Sequence, residues 1–140
     1  MNRLILLHHP AYAQSIDGFN SVSIQDLDKI VNHSIDHIYC STLELYTLNA
    51  VEEILSEMLI KLRPNGLITL NITNMKNVCR EYYNGSMKDS TLLQNITNKV
   101  SILSQNSIQE ILKKYADIKI IKIESSDNLH TNITAQRIKI

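Results

Sequence analysis

The run from Ile35 to Ile72 constrains the fold of this 140-residue chain more than any other stretch. Ile35 to Cys40 reads as a strand with Ile38 and Cys40 on one face. Val51, Ile54, Leu55, Met58, Leu59 and Leu62 then recur at steps of 3, 1, 3, 1 and 3, the single apolar stripe of an amphipathic helix. Asn49, with Glu52 three residues later, resembles a capping box that satisfies unpaired backbone donors at the helix start. Lys61 and Arg63 sit where cations favour a helix C-terminus, and Pro64-Asn65-Gly66 stops the helix. Leu67 to Ile72 is the next strand. A helix between two strands is the crossover that a parallel pair needs, so the centre of the chain reads as α/β.

The flanks extend that pattern. Leu4 to Leu7 is a short buried strand that ends in His8-His9-Pro10. Asp17-Gly18 is a turn signal, Ser21 to Ile24 a second short strand, and Leu27, Ile30 and Val31 suggest helical turns between Gln25 and Val31. Met75 to Tyr83 and Ser90 to Leu103 are helical by composition. Ser107 with Glu110 is a second capping box, opening a helix with Ile108, Ile111, Leu112 and Tyr115 towards the core. Ile118 to Ile123 and Ile133 to Ile140 are strands joined through Ser125-Ser126-Asp127-Asn128. That link is too short for a parallel crossover, so an antiparallel pair at a sheet edge is expected.

Composition excludes several functions. The 14 Lys and Arg balance 14 Asp and Glu, so no net field draws nucleic acid or an anionic membrane. Only 3 Gly and 2 Pro occur among 44% hydrophobic residues, which argues for one ordinary globular domain over residues 1–140. No apolar stretch approaches a membrane span, and no signal-peptide core follows Met1. Two cysteines make no disulfide framework, so a reduced, cytoplasmic protein is expected.

Ser34-Ile35-Asp36-His37-Ile38-Tyr39-Cys40-Ser41 resembles the S-V-D-x-I-Y-x-S strand of class I S-adenosylmethionine-dependent methyltransferases. That family continues with a helix and an L-K-P-G-G turn into the next strand; here Leu62-Arg63-Pro64-Asn65-Gly66 leads into Leu67-Ile68-Thr69-Leu70. Cys79-Arg80-Glu81-Tyr82, the Ser107 helix and the terminal hairpin also look like the family's C-terminal half, so the likeness covers residues 34–140. It implies a shortened Rossmann-like fold, a mostly parallel sheet with a C-terminal antiparallel hairpin and helices on both faces.

The N-terminal third departs from the family. A glycine-rich turn belongs after the first strand, because only Gly lets the backbone approach the cofactor closely; Leu7-His8-His9-Pro10 holds no glycine. The family places a carboxylate for the ribose hydroxyls at the end of the second strand. Gly18 to Ile24 looks like that strand, yet Ser23 stands at the place, and Asp26 would serve only with a shifted loop. The stretch between the second and third strands is short for an adenine-binding segment. The resemblance therefore implies a domain that has lost S-adenosylmethionine binding, takes no cofactor, and serves as a non-catalytic binding or structural subunit. A protein partner or a second copy would cover the apolar surface of a shortened sheet. The alternative is an active S-adenosylmethionine-dependent methyltransferase with a divergent cofactor loop, completed by a partner chain. The family's pocket positions fall on His8, His9, Ser23, Asp26, Ser41 and Glu44.

Other chemistry is weighed residue by residue. His8 and His9, just past a strand's carboxyl end, could act in a repurposed crevice with Glu44, or simply end the strand. His33 and His37 are four apart, but in an extended segment that spacing separates them by about 13 Å, too far to share one metal ion; no metal is expected. Glu44 is the best candidate for a pocket carboxylate, set against a solvated residue before a helix. Ser41 and Thr42 lack a G-x-S-x-G elbow. Cys40 and Cys79 read as small buried hydrophobes, His130 as a loop residue, and Tyr82-Tyr83 as aromatics packed under a turn. No phosphate loop or aromatic-basic stripe occurs.

Overall fold

The computed structural model describes residues 2–7, 16–97 and 99–138. Among them six strands form one sheet: β1 (Arg3–Leu7), β2 (Asn20–Ser23), β3 (Ile35–Cys40), β4 (Leu62–Thr73), β5 (Ile118–Asp127) and β6 (His130–Arg137). The helices are α1 (Leu48–Lys61), α2 (Met75–Tyr83), α3 (Asp89–Ile96) and α4 (Gln105–Lys113), with short 3-10 helices at Ile24–Lys29 and Leu43–Leu45. Across the sheet the order is β2-β1-β3-β4-β6-β5. β1 to β4 run parallel, whereas β6 is antiparallel to both β4 and β5. The sequence implies this mostly parallel sheet with an antiparallel hairpin at its edge, and the structure has it.

Alternation along the strands gives the two sheet faces different chemistry. Ile38 and Cys40 of β3, Ile68, Leu70 and Ile72 of β4, and Ile133 and Ala135 of β6 pack with Val51, Leu55 and Met58 of α1 and Ile108 and Leu112 of α4 in one apolar core. Every buried apolar helix residue except Val78 belongs to that core. On the opposite face Ile5, Tyr39, Thr69 and Thr134 stand side by side across β1, β3, β4 and β6. His37 Nε2 lies 2.8 Å from Thr69 Oγ1, which lies 3.3 Å from Thr134 Oγ1. Asn71 Nδ2 donates to Asn132 Oδ1 at 2.7 Å and to Ser126 Oγ at 3.0 Å.

The turn at Pro64-Asn65-Gly66 is built into the sheet. β4 already pairs with β3 at Leu62↔Ile35, then bulges before resuming at Leu67↔His37. Asn65 holds φ 66°, and a Cβ on Gly66 would meet the Arg63 carbonyl oxygen at 2.8 Å and the Ile35 carbonyl oxygen at 3.0 Å. Glycine is needed there because two backbones meet. Arg63 pairs with Asp36 across the bulge.

Several element boundaries differ from the sequence reading. α1 is capped by Thr47, whose hydroxyl accepts from the Ala50 amide, so Asn49 lies inside the helix. α4 is capped by Ser104, which accepts from Ser107 N at 3.0 Å, so Ser107 is inside too. In each case several polar residues precede the apolar stripe, and packing selects the cap. The helix expected over Ser90 to Leu103 stops at Ile96, because the amides of Val100 and Ser101 turn to the Glu44 carbonyl at 2.8 and 3.2 Å. The hairpin turns at Asn128-Leu129, three residues later than Ser125, because Asp127 Oδ1 accepts from Leu129 N at 2.7 Å. β6 consequently starts at His130, which is a strand residue, and the last two positions of the expected strand, Lys139 and Ile140, lie outside the described residues. Cys79 is exposed, not a buried hydrophobe. Tyr82 and Tyr83 are exposed as well, with Tyr82 Oη donating to Asp89 Oδ1 at 2.9 Å.

Candidate crevice at the carboxyl ends of the parallel strands

Because β2 lies on one side of β1 and β3 on the other, the chain reverses its direction of winding at β1. Open α/β sheets bind ligands outside the carboxyl ends of the strands at such a point. β1 ends at Leu7, β2 at Ser23, β3 at Cys40 and β4 at Thr73. His8 and His9 lie outside the described residues. Ser23 is buried at the end of β2, and its Oγ accepts from Gln25 N at 3.4 Å, capping the 3-10 helix. Asp26 Oδ1 sits 3.0 Å from Lys29 Nζ on the same short helix. Ser41 is half-buried just past β3. With strands about 4.8 Å apart, Ser23 and Ser41 are separated by about 10 Å across β1.

Glu44 is 6% exposed, so it is not a solvated residue before a helix. Its Oε1 accepts from Thr73 N at 2.9 Å and lies 3.8 Å from Lys99 Nζ, while Oε2 has no partner among the described residues. Its carbonyl oxygen takes the Val100 and Ser101 amides. One residue therefore fastens three segments together: the loop after β3, the end of β4, and the strap over residues 99–104. A carboxylate so placed holds the mouth of the sheet in shape. Thr73, Lys99 and Ser101 escaped the sequence reading, since nothing local in the sequence pairs them with a glutamate 29 or more positions away.

Burial pushes the Cys40 thiol above its ordinary value and outweighs the hydrogen bonds from Thr42 and Leu43 that lower it. A thiol held protonated is a poor nucleophile. Burial also lowers the His37 imidazole, helped by the Arg3 charge. Phe19 packs edge-on to that ring at 5.2 Å. Among the described residues no group of three or more His, Cys, Asp or Glu side chains could hold a metal ion. The end of β2 offers the Ser23 hydroxyl, which is already engaged in a cap.

Comparison with solved structures places this fold. An S-adenosylmethionine-dependent methyltransferase from Archaeoglobus fulgidus matches over 97% of this chain and 86% of its own, with a TM-score of 0.64 and 12% identity. The Haloferax volcanii complex of the Trm112 methyltransferase activator with its candidate methyltransferase matches over 99% and 73%, at 0.62 and 12%. The 1,6-didemethyltoxoflavin-N1-methyltransferase of Burkholderia thailandensis, solved with S-adenosylhomocysteine, matches over 86% and 51%, at 0.57 and 13%. Against several other solved structures the chain spans only 35% to 63% of their length. No protein-family model and no curated protein matches the chain. The chain has the fold of class I S-adenosylmethionine-dependent methyltransferases.

Proposed function

We propose that this chain is a methyltransferase-fold domain that no longer binds S-adenosylmethionine and acts as a binding or structural subunit for a protein partner or a second copy of itself. The end of β2 carries this reading. Ser23 stands where ribose hydroxyls call for a carboxylate and gives its oxygen to Gln25 N, while Asp26 is turned to Lys29. The glycine-free sequence from Leu7 to Asp17 supports it, because a side chain at each position keeps backbone away from a cofactor.

Under this reading the partner covers the apolar groove of Leu48, Val100 and Ile102, which are 56%, 60% and 61% exposed beside Ser101. Clustered exposure of this kind marks interaction sites. The Haloferax complex supports a two-chain arrangement, since a protein of this fold is joined there to an activator. Among the described residues no helix is long and apolar enough to cross a membrane, and the balanced charge offers no footprint for nucleic acid.

A second reading is an active S-adenosylmethionine-dependent methyltransferase with a divergent loop at His8 and His9, completed by a partner chain. The near end-to-end likeness to the Archaeoglobus enzyme favours it. Calorimetric titration of the folded protein with S-adenosylmethionine and S-adenosylhomocysteine, with light scattering in parallel, separates the two. The expected result is no binding heat together with self-association or partner capture. Saturable binding of either compound selects the second reading.

A further inference from the structure

Where β4 ends, the first turns of α2 and α4 open onto one cavity of about 330 Å³, lined by Thr73, Met75, Lys76, Ser104, Gln105 and Thr131 among others. The first amides of any helix lack an intrahelical acceptor. Asn74 caps Asn77 N at 3.1 Å and Ser104 caps Ser107 N at 3.0 Å. The amides of Met75, Lys76, Gln105 and Asn106 make no hydrogen bond among the described residues. Neither first turn carries an acidic residue, so no side chain of its own turn neutralises either positive helix end.

One side chain points to an occupant independently of the helices. Thr131 is 8% exposed and lines this cavity on the sheet face it shares with Ile72 and Ile133, and its hydroxyl makes no hydrogen bond among the described residues. A hydroxyl largely withdrawn from bulk water and left without a protein partner costs free energy that a ligand oxygen would recover. Lys76 adds an ammonium at the rim. The Glu44 carboxylate accepts from the Thr73 amide at 2.9 Å and faces Lys99 at 3.8 Å.

We infer that this cavity is an oxyanion site, taking the phosphate or carboxylate group of a small molecule between the two helix starts. Amides from two helices, the Lys76 ammonium and the Thr131 and Ser104 hydroxyls supply donors around one centre, the arrangement that suits a multiply charged oxyanion. The site lies on the far side of β3 from the β1–β3 crevice, so it stands whether or not S-adenosylmethionine binds.

Titration of isotopically labelled protein with inorganic phosphate, and separately with succinate, tests it by following backbone amide resonances. Saturable shifts concentrated at Met75, Lys76, Gln105 and Asn106 are expected. Thr131→Val weakens binding about tenfold by removing one hydrogen bond to a charged group. Lys76→Met, a change at an exposed position, weakens it and reduces its salt dependence. Tighter phosphate binding assigns a phosphoryl ligand, and tighter succinate binding a carboxylate. Shifts that fail to saturate for both anions, shifts scattered over other basic residues, or unchanged affinity in folded Lys76→Met protein overturn the assignment.

Discussion

Leu70 and Asn71 are neighbours on β4 that look out from opposite faces of the sheet, and each face is held in a different way. Leu70 sits fully buried among Ile38, Ile68, Ile133 and the stripes of α1 and α4. Asn71 is half-buried and bonded to Asn132 and Ser126. Strands covered on both sides in a mostly parallel sheet usually read as continuous apolar runs. Here β1 does, with Ile5 fully buried on the second face, whereas β4 and β6 are apolar on one face only. Stability therefore concentrates on the α1–α4 side, while hydrogen-bonded rows order the other side. The polar face is also the side of Arg3, His37 and Phe19, in the N-terminal part where the chain departs from the methyltransferase pattern. Between β2 and β3 the chain forms a 3-10 helix whose buried Leu27 packs into the apolar core on the α1 side, not onto the polar face.

Substitutions can break this contrast in graded steps. Leu70→Ala should cost about 2–5 kcal/mol, the loss of a fully buried leucine plus its cavity, read as a lower denaturant midpoint. Glu44→Ala leaves the Thr73 amide unpaired in a buried place and should cost about 1–3 kcal/mol. Glu44→Gln keeps an acceptor for that amide and should recover most of the loss; if it does not, the charge opposite Lys99 is what holds the strap. Asn71→Ala should cost about 1 kcal/mol, since one side-chain network is lost on a face that water can reach. If it equals Leu70→Ala, the two faces contribute alike and the contrast fails.

The smallest expected effect is a pH dependence. The His37 imidazole is lowered from its ordinary 6.5, first by burial and then by Arg3. The unfolded chain then takes up a proton at a pH where the folded chain does not. The contribution is complete above that ordinary value and declines as pH falls below it. His37→Gln should flatten this part of the stability curve in acid unfolding. Thiol labelling gives a check that involves no substitution: Cys79 should react in the folded protein and Cys40 only after unfolding.

Much of the fold is legible in the residues themselves. The α1 stripe, the strand runs and the short hairpin link depend on periodicity and on chain length between elements, which are local properties. The boundaries were less legible because Thr47 and Asn49, or Ser104 and Ser107, are equally fit to cap a helix, and only the packed core chooses. The candidate site was legible only in outline. Glu44 could be picked out as a carboxylate near a strand end, but its direction could not.

Spacing and residue type are enough to specify an α/β chain with a parallel centre, a hairpin edge and an N-terminal third without the glycines of a cofactor turn. Three features instead required the folded arrangement: the strand order, the burial of Glu44 against Thr73 and Lys99, and the meeting of two helix starts around Thr73 and Thr131. Those residues are brought together by strand pairing and helix packing across 29 to 58 positions of chain, a separation over which no local pattern carries information.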